Sequence, residues 1–260
     1  MKSYYHIEAT KEDHKATIWL SRPEKRNALN AQMTVELIDI LNLLASDKQT
    51  DQVVLRGRGE VFCAGADLNW MENNILPQEE RPEHLLPWLL KKLFYFPKPL
   101  IAIVHGSAMG GALGMIACAD FVLAEENSKF AFSEVRLGLI PATIAPFVVR
   151  RIGEFNARRL MILGSVFDTI QARKTGLVDI ISSKENLDKD IENLCNDLGK
   201  NAPQAMQQCK HLLQHIVEND FNDNLFDYCA DKLMEIRKSD ESLEGIAAFK
   251  EKRKAVWRRQ

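Results

Sequence analysis

The chain is short of cysteine, of net charge and of long apolar runs, and each shortage removes a class of answer. Its five cysteines, Cys63, Cys118, Cys195, Cys209 and Cys229, are an odd number and form no C-x-x-C pair. That spacing argues against a disulfide scaffold and offers no metal site, so reduced thiols and a cytoplasmic location are expected. Lysine and arginine number 34 against 36 acidic residues, a net charge of −2. No field of one sign calls for nucleic acid or an anionic membrane as a partner. No uncharged run reaches the roughly 20 residues of a bilayer span, and residues 1–8 lack the apolar core of a secretory signal. Internal repeats and low-complexity segments are absent too. What remains is a chain of 260 residues, long enough to bury a full core as one large domain or as a domain with an appendage.

The organising stretch is residues 98–115, K-P-L-I-A-I-V-H-G-S-A-M-G-G-A-L-G-M. Leu100, Ile101, Ala102, Ile103 and Val104 form an uncharged run, the pattern of a strand buried on both faces. Gly106 and Ser107 break it, and Gly110-Gly111 stand where a helix should begin. A strand, a glycine turn and a helix start leave unpaired N–H groups converging on one place, suited to a phosphate or to a polarised carbonyl. The same glycines would also serve close packing of helix on sheet.

A second small-residue turn lies at Phe62-Cys63-Ala64-Gly65-Ala66-Asp67-Leu68. Alone it reads as a turn with Asp67 capping a helix. Two strand-to-helix turns, each offering one N–H, are what a two-donor oxyanion hole requires.

The flanking sequence alternates strand and helix signals, the pattern of a parallel sheet. Strands are expected at Tyr5-His6-Ile7-Glu8, Ala16 to Leu20, Gln52 to Arg56 and Asp120 to Ala124. Asn30 should cap a helix with the stripe Met33, Leu37, Ile40, Leu41 and Leu44. Residues 69–81 are polar and read as a mobile loop, followed by a helix over 84–96 with Leu85, Trp88, Leu89, Leu93 and Phe96 on one side. Phe130-Ala131-Phe132-Ser133-Glu134 reads as an extended run ending in a carboxylate among apolar neighbours. Such a glutamate, with a raised pKa, could act as a general acid or base, or stand simply solvated or paired. Near the C-terminus Asn201 is expected to cap a helix with Met206, Cys209, Leu213 and Ile216 inward, and Leu225, Cys229, Leu233 and Ile236 repeat the stripe.

Taken together, the 62–68 turn, Val104-His105-Gly106-Ser107-Ala108-Met109-Gly110-Gly111, and Ser133-Glu134-Val135-Arg136-Leu137-Gly138-Leu139-Ile140-Pro141 resemble the enoyl-CoA hydratase/isomerase (crotonase) superfamily in order and spacing. Arg22-Pro23-Glu24-Lys25-Arg26-Asn27-Ala28-Leu29 resembles that family's CoA-binding loop. Asn30-Ala31-Gln32-Met33, Leu68-Asn69-Trp70-Met71, Gly110-Gly111-Ala112-Leu113-Gly114 and Ile140-Pro141-Ala142-Thr143-Ile144-Ala145-Pro146-Phe147 are similar to a bacterial branch described as methylglutaconyl-CoA or gamma-carboxygeranoyl-CoA hydratases. The resemblance implies an α/β fold, a ClpP-like spiral of ββα turns over residues 1–198. A helical region over 199–260 would follow and pack across subunits of a homotrimer or a dimer of trimers.

It further implies an oxyanion hole made by the N–H groups of Ala66 and Gly111, and Glu134 as catalytic carboxylate. The N–H of Ala142 would hold the attacking water. CoA would be gripped at Lys25, Arg26, Ala28, Ala64, Asp67 and Leu68. Phe249 and Lys252 would close the adenine end of a neighbour's site, although a solvated basic terminus also accounts for Lys252. Coenzyme A would enter as part of the substrate, with no resident cofactor and no metal. One departure bears on the chemistry. Two-glutamate hydratases carry an acid three residues after the second glycine of the pair, and here that residue is Gly114. The implied activity is hydration of a branched 2-enoyl-CoA, with a Δ3,Δ2-enoyl-CoA isomerase as the alternative and a non-catalytic scaffold as a third reading. Arg136 is a candidate partner for a substrate's distal carboxylate.

Overall fold

The structure, a computed structural model, describes residues 2–72 and 77–257. In chain order it contains β1 (Ile7–Glu12), β2 (Lys15–Leu20), α1 (Ala31–Ser46), β3 (Gln52–Gly57), α2 (Leu68–Glu72), α3 (Pro82–Phe94), β4 (Leu100–Val104) and β5 (Ser107–Met109). These are followed by α4 (Gly111–Ala117), β6 (Phe121–Glu125), β7 (Lys129–Ala131), α5 (Ala145–Leu163), β8 (Phe167–Asp168), α6 (Thr169–Thr175) and β9 (Ile180–Ser182). Four helices complete the chain: α7 (Leu187–Leu198), α8 (Pro203–Glu218), α9 (Asp223–Ile236) and α10 (Asp240–Lys250). Two compact units are present, Met1–Phe96 with Leu100–Ile191, and Pro97–Pro99 with Glu192–Gln260.

The first unit is built on a six-stranded sheet in the order β1-β2-β3-β4-β6-β9. Only β1 and β2 are antiparallel; every other neighbour is parallel, so helices must cross over the sheet between strands. β4 sits inside the sheet and all five of its residues are buried, as an unbroken apolar run requires. Each large aliphatic side chain buried there contributes roughly 1.5–3 kcal/mol. A second sheet, β5-β7-β8, stands beside the first, with β5 and β7 parallel. The organising stretch is therefore strand, turn, strand and helix. Gly106, at φ +60°, separates β4 from β5, and Gly110, at φ +49°, separates β5 from α4.

Local signals act where they were expected at Asn30, whose Oδ1 accepts the Met33 N–H at 2.9 Å to start α1. Elsewhere the structure differs. Residues 68–72 are helical, not loop, because Asp67 takes the Asn69 N–H on its carboxylate and the Met71 N–H on its carbonyl. The rest of that expected loop includes residues 73–76, which lie outside the described residues. In α3 the buried face is Leu86, Leu89, Leu90 and Leu93, and Trp88 lies 57% exposed with the Lys91 ammonium 5.2 Å from its ring centre. Glu134 does not end a strand. It opens a single 3-10 turn, Glu134–Leu137, closed by Gly138 at φ 72°.

The second unit is helical. Asn201 does not cap α8; Ala202 stands at that position, and the Glu241 carboxylate takes the Gln204 and Ala205 N–H groups at 3.1 and 2.8 Å. No residue of α8 is fully buried, and Cys209 and Leu213 of the expected inward stripe are exposed. Leu225 of α9 is buried while Leu233 is 61% exposed. An apolar stripe becomes interior only against a facing surface, which periodicity alone does not supply. No helix among the described residues is long and apolar enough to cross a membrane.

Replacing the cap of α1 tests the local account. Asn30→Ala is expected to lower stability by about 1 kcal/mol in urea denaturation, with native secondary structure retained. A change within error would show that packing of α1 makes the cap redundant.

Candidate active site

Two turns of the first unit meet through backbone bonds. Phe62 donates to His105 O at 3.0 Å, Cys63 to Ser107 O at 3.2 Å, and Met109 returns a bond to Cys63 O at 3.1 Å. On the other side of the 62–67 turn, Leu29 donates to Gly65 O and Asp67 to Leu29 O, both at 2.8 Å. Leu29 thus takes the Asp67 N–H and Cys63 Sγ takes the Gly65 N–H, which leaves that of Ala66 between them. Among the described residues it has no backbone acceptor, and neither has Gly111 N–H at the start of α4.

The gap between the turns is set by Gly65. At φ +96° it adopts a backbone that side chains disfavour, and a methyl group there would stand 2.7 Å from Met109 O and 3.5 Å from Gly111 N. A methyl on Gly111 would stand 3.7 Å from Ala66 N. The two unpaired N–H groups therefore lie close to one another. Gly110 donates to Ala131 O at 2.9 Å, and a methyl on it would meet Glu134 Oε1 at 3.2 Å. The carboxylate thus stands directly over the start of α4.

Glu134 is half-buried, and its Oε2 is buried with no hydrogen-bond partner in the structure. Burial disfavours the charged form and pushes its pKa above the usual glutamate value, opposed only by its own backbone N–H. A carboxyl held this way at the mouth of two free donors can carry a proton to and from a bound molecule. Cys63, nearby in the turn, cannot serve as a nucleophile. Burial raises its thiol to about 12, and its sulfur takes the Gly65 N–H at 3.4 Å. Among the described residues no cluster of three metal-ligating side chains occurs.

The loop before α1 is tied to this turn. Lys25 closes a 3-10 turn, Pro23–Lys25, and Arg26 and Asn27 both have positive φ, at 50° and 55°. Lys25 and Arg26 are exposed, Ala28, Ala64 and Asp67 are half-buried, and Leu68 is 55% exposed. Ala64 N–H donates to Arg26 O at 3.0 Å, so the loop and the turn face one another. Phe249 and Lys252 belong to the second unit and are exposed there. Ala142 N–H is donated to Ile140 O at 2.8 Å and in this conformation is not available to a water. Arg136 is exposed two residues from Glu134, with its stem beside Gly164.

Two residues that sequence reasoning passed over hold the loop. Arg22 is buried, donating to Ala28 O at 2.5 Å and to the Asp67 carboxylate at 3.2 Å. Asn27 is fully buried. Its Oδ1 accepts the Arg22 N–H at 2.9 Å, and its amide donates to Arg58 O, Val61 O and Phe62 O. An arginine and an asparagine in a polar loop look solvated in sequence. Their burial depends on partners 31–45 positions away.

The sequence matches the family model described as enoyl-CoA hydratase/isomerase over residues 10–260. It is 33% identical to the 2,3-dehydroadipyl-CoA hydratase of Escherichia coli over 204 residues, covering 76% of this chain and 78% of that protein. Among solved structures, an enoyl-CoA hydratase from Shewanella pealeana is 36% identical with a TM-score of 0.92, covering 97% of this chain and 96% of that one. Pseudomonas aeruginosa AtuE is 33% identical with a TM-score of 0.93, covering 98% of this chain and all (100%) of that one.

The Arg22 tie generates a prediction. Arg22→Ala leaves a half-buried carboxylate and a half-buried carbonyl without their donor, and is expected to cost about 2 kcal/mol in chemical denaturation. Arg22→Lys keeps the charge but not the fork and should recover less than half of that loss. A cost below 1 kcal/mol would mean that water replaces the guanidinium.

Proposed function

The chain belongs to the enoyl-CoA hydratase/isomerase family, and from that membership we propose that it adds water to a branched 2-enoyl-CoA thioester. One observation carries the reading: the Glu134 carboxyl stands at Gly110, next to Gly111, whose N–H and that of neighbouring Ala66 have no backbone acceptor among the described residues. In the proposed reaction those two donors hold the thioester oxygen. Each such donor contributes roughly 3–4 kcal/mol to stabilising the enolate. Glu134 takes a proton from water as the water oxygen bonds to C3, and the double-bond electrons pass to the held oxygen. The carbonyl then re-forms as C2 takes the proton back from Glu134. One water is added and the carboxylate is regenerated.

The substrate class rests on the branch resemblance of residues 30–33, 68–71, 110–114 and 140–147, with 3-methylglutaconyl-CoA as the representative ester. Lys25, Arg26, Ala28, Ala64, Asp67 and Leu68 line the proposed CoA grip, and Arg136 is offered to a distal carboxylate. In this reading CoA arrives with the substrate and no resident cofactor or metal takes part. The enzyme would be cytoplasmic and would associate with copies of itself, which the exposed Phe155, Ile162 and Leu163 of α5 support. Phe249 and Lys252 would then act at a neighbour's site. A role in leucine or fatty acid breakdown follows from such a substrate.

A second reading is favoured by a specific observation. At Gly114 a methyl group would lie 2.5 Å from Ile144 Cγ2, so the position has no acid and no room for one. A single carboxylate suffices to move a proton from C2 to C4, and an isomerase acting on 3-enoyl-CoA fits that arrangement.

Purified protein offered 3-methylglutaconyl-CoA and crotonyl-CoA should bleach the conjugated enoyl absorbance and give a product heavier by one water. Growth of that absorbance from a 3-enoyl-CoA at unchanged mass, with no hydration, would replace the first reading by the second. Glu134→Gln should lower kcat by roughly 10²–10⁴ with the fold intact. Undiminished activity would remove Glu134 from the mechanism. Because the base must be ionised and burial raises its pKa, kcat/KM should fall on acidification at a pH above the usual glutamate value.

A further inference from the structure

Gly110 and Gly114 stand one turn apart at the start of α4, about 6 Å along the axis. The side-chain direction of Gly110 leads to Glu134 Oε1. That of Gly114 leads into Ile144, with Cγ2 at 2.5 Å and Cβ at 2.9 Å from a built methyl, and Leu90 Cδ2 at 3.1 Å. The space next along the helix from the carboxylate is therefore occupied. Its occupant is 1% exposed and its position is fixed by backbone bonds. Ile144 N–H donates to Pro141 O at 3.2 Å, and Ile144 O accepts from Phe147 and Val148 at 3.1 and 3.0 Å, capping α5. A β-branched side chain on such a backbone has little rotamer freedom with which to move aside.

We propose that Ile144 is a positioning residue that confines this site to one-carboxylate chemistry. It fills the volume one turn along α4 from Glu134 and holds it closed to a second acid and to water. Gly114 and Ile144 form a lock: the glycine exists because the isoleucine occupies its side-chain space. The loop 138–143, with Ile140 75% exposed, ends at this buried anchor. Glu134 has its pKa raised by burial, with no charged group among the causes. α4 and the first turn of α5 bring no charged group to it, and Arg136 on its own turn lies beside Gly164. The chemical role rests on the reading of Glu134 given above; the steric lock does not.

The test is a melting cycle with a titration. Alanine at an interior helix position ordinarily stabilises relative to glycine. Here Gly114→Ala is expected to lower the melting temperature by about 3–8 °C, and to lower it by less than half of that when introduced into Ile144→Ala, where Cγ2 is gone and Cβ remains. Ile144→Val keeps Cβ and the branch, so it should not relieve the clash. Ile144→Cys, with one γ atom in place of two, serves if the alanine variant does not fold. The Glu134 titration, read as an infrared carboxylate difference against Glu134→Gln, should move downward by about 0.5–1 pH unit in Ile144→Ala as water enters. The acidic limb of kcat/KM should move with it. A Gly114→Ala protein as stable as the wild type, an absence of coupling in the cycle, or an unmoved Glu134 titration each overturns the proposal. The cycle and the infrared titration use no substrate, so loss of the catalytic reading would show separately, as a wild type without hydratase or isomerase activity.

Discussion

The site depends on how closely two stretches of backbone approach, and that approach is a property of Gly65. The 62–67 turn is bonded on one side to residues 105–109 and on the other to Leu29. These bonds hold it close enough to β5 that a methyl on Gly65 would overlap Met109 O at 2.7 Å. With the chain at φ +96° the alternation of paired and unpaired N–H groups comes out so that Ala66 faces the start of α4. A backbone donor left without an acceptor is costly when buried, which is why such groups are nearly always satisfied. Two such groups close to one another leave room for an acceptor that the backbone itself does not supply.

The electrostatics follow from the same packing. Glu134 is carried over the start of α4 by a single 3-10 turn, with Oε1 next to Gly110 and Oε2 buried without a partner. No cation stands among the causes of its shift; burial alone raises its pKa. The buried arginine of the loop before α1, Arg22, is engaged by Asp67 and Ala28. Charge is thus used to fix the loop and kept away from the carboxylate, whose proton affinity is set by lack of solvent.

Much of the fold was legible because its signals are local. The apolar run of β4, the Asn30 cap and the stripe of α1 act over a few residues and appear as expected. The misplaced features depend on distant partners. Trp88 is apolar but turns outward because four leucines already define the inner face of α3. The start of α8 is closed by Glu241 and not by a neighbouring side chain. β5 carries too little pattern to read in three residues, and it exists through its pairing with β7 and its bonds to Cys63.

By itself the sequence determined which residue types occupy the site: two small-residue turns, a carboxylate among apolar neighbours, and glycine where a second acid would stand. These are matters of composition and spacing along one chain, and they were enough for the family resemblance. Only the tertiary structure decided what those residues face. It brought the unpaired Ala66 and Gly111 donors close together, engaged Ala142 N–H with Ile140, and made Arg22 and Asn27 buried struts. It also filled the space beside Gly114 with Ile144, thirty positions away. The physical reason is that direction and solvent access belong to packed backbones. A glycine in sequence is permission for close approach, and only the fold says what approaches.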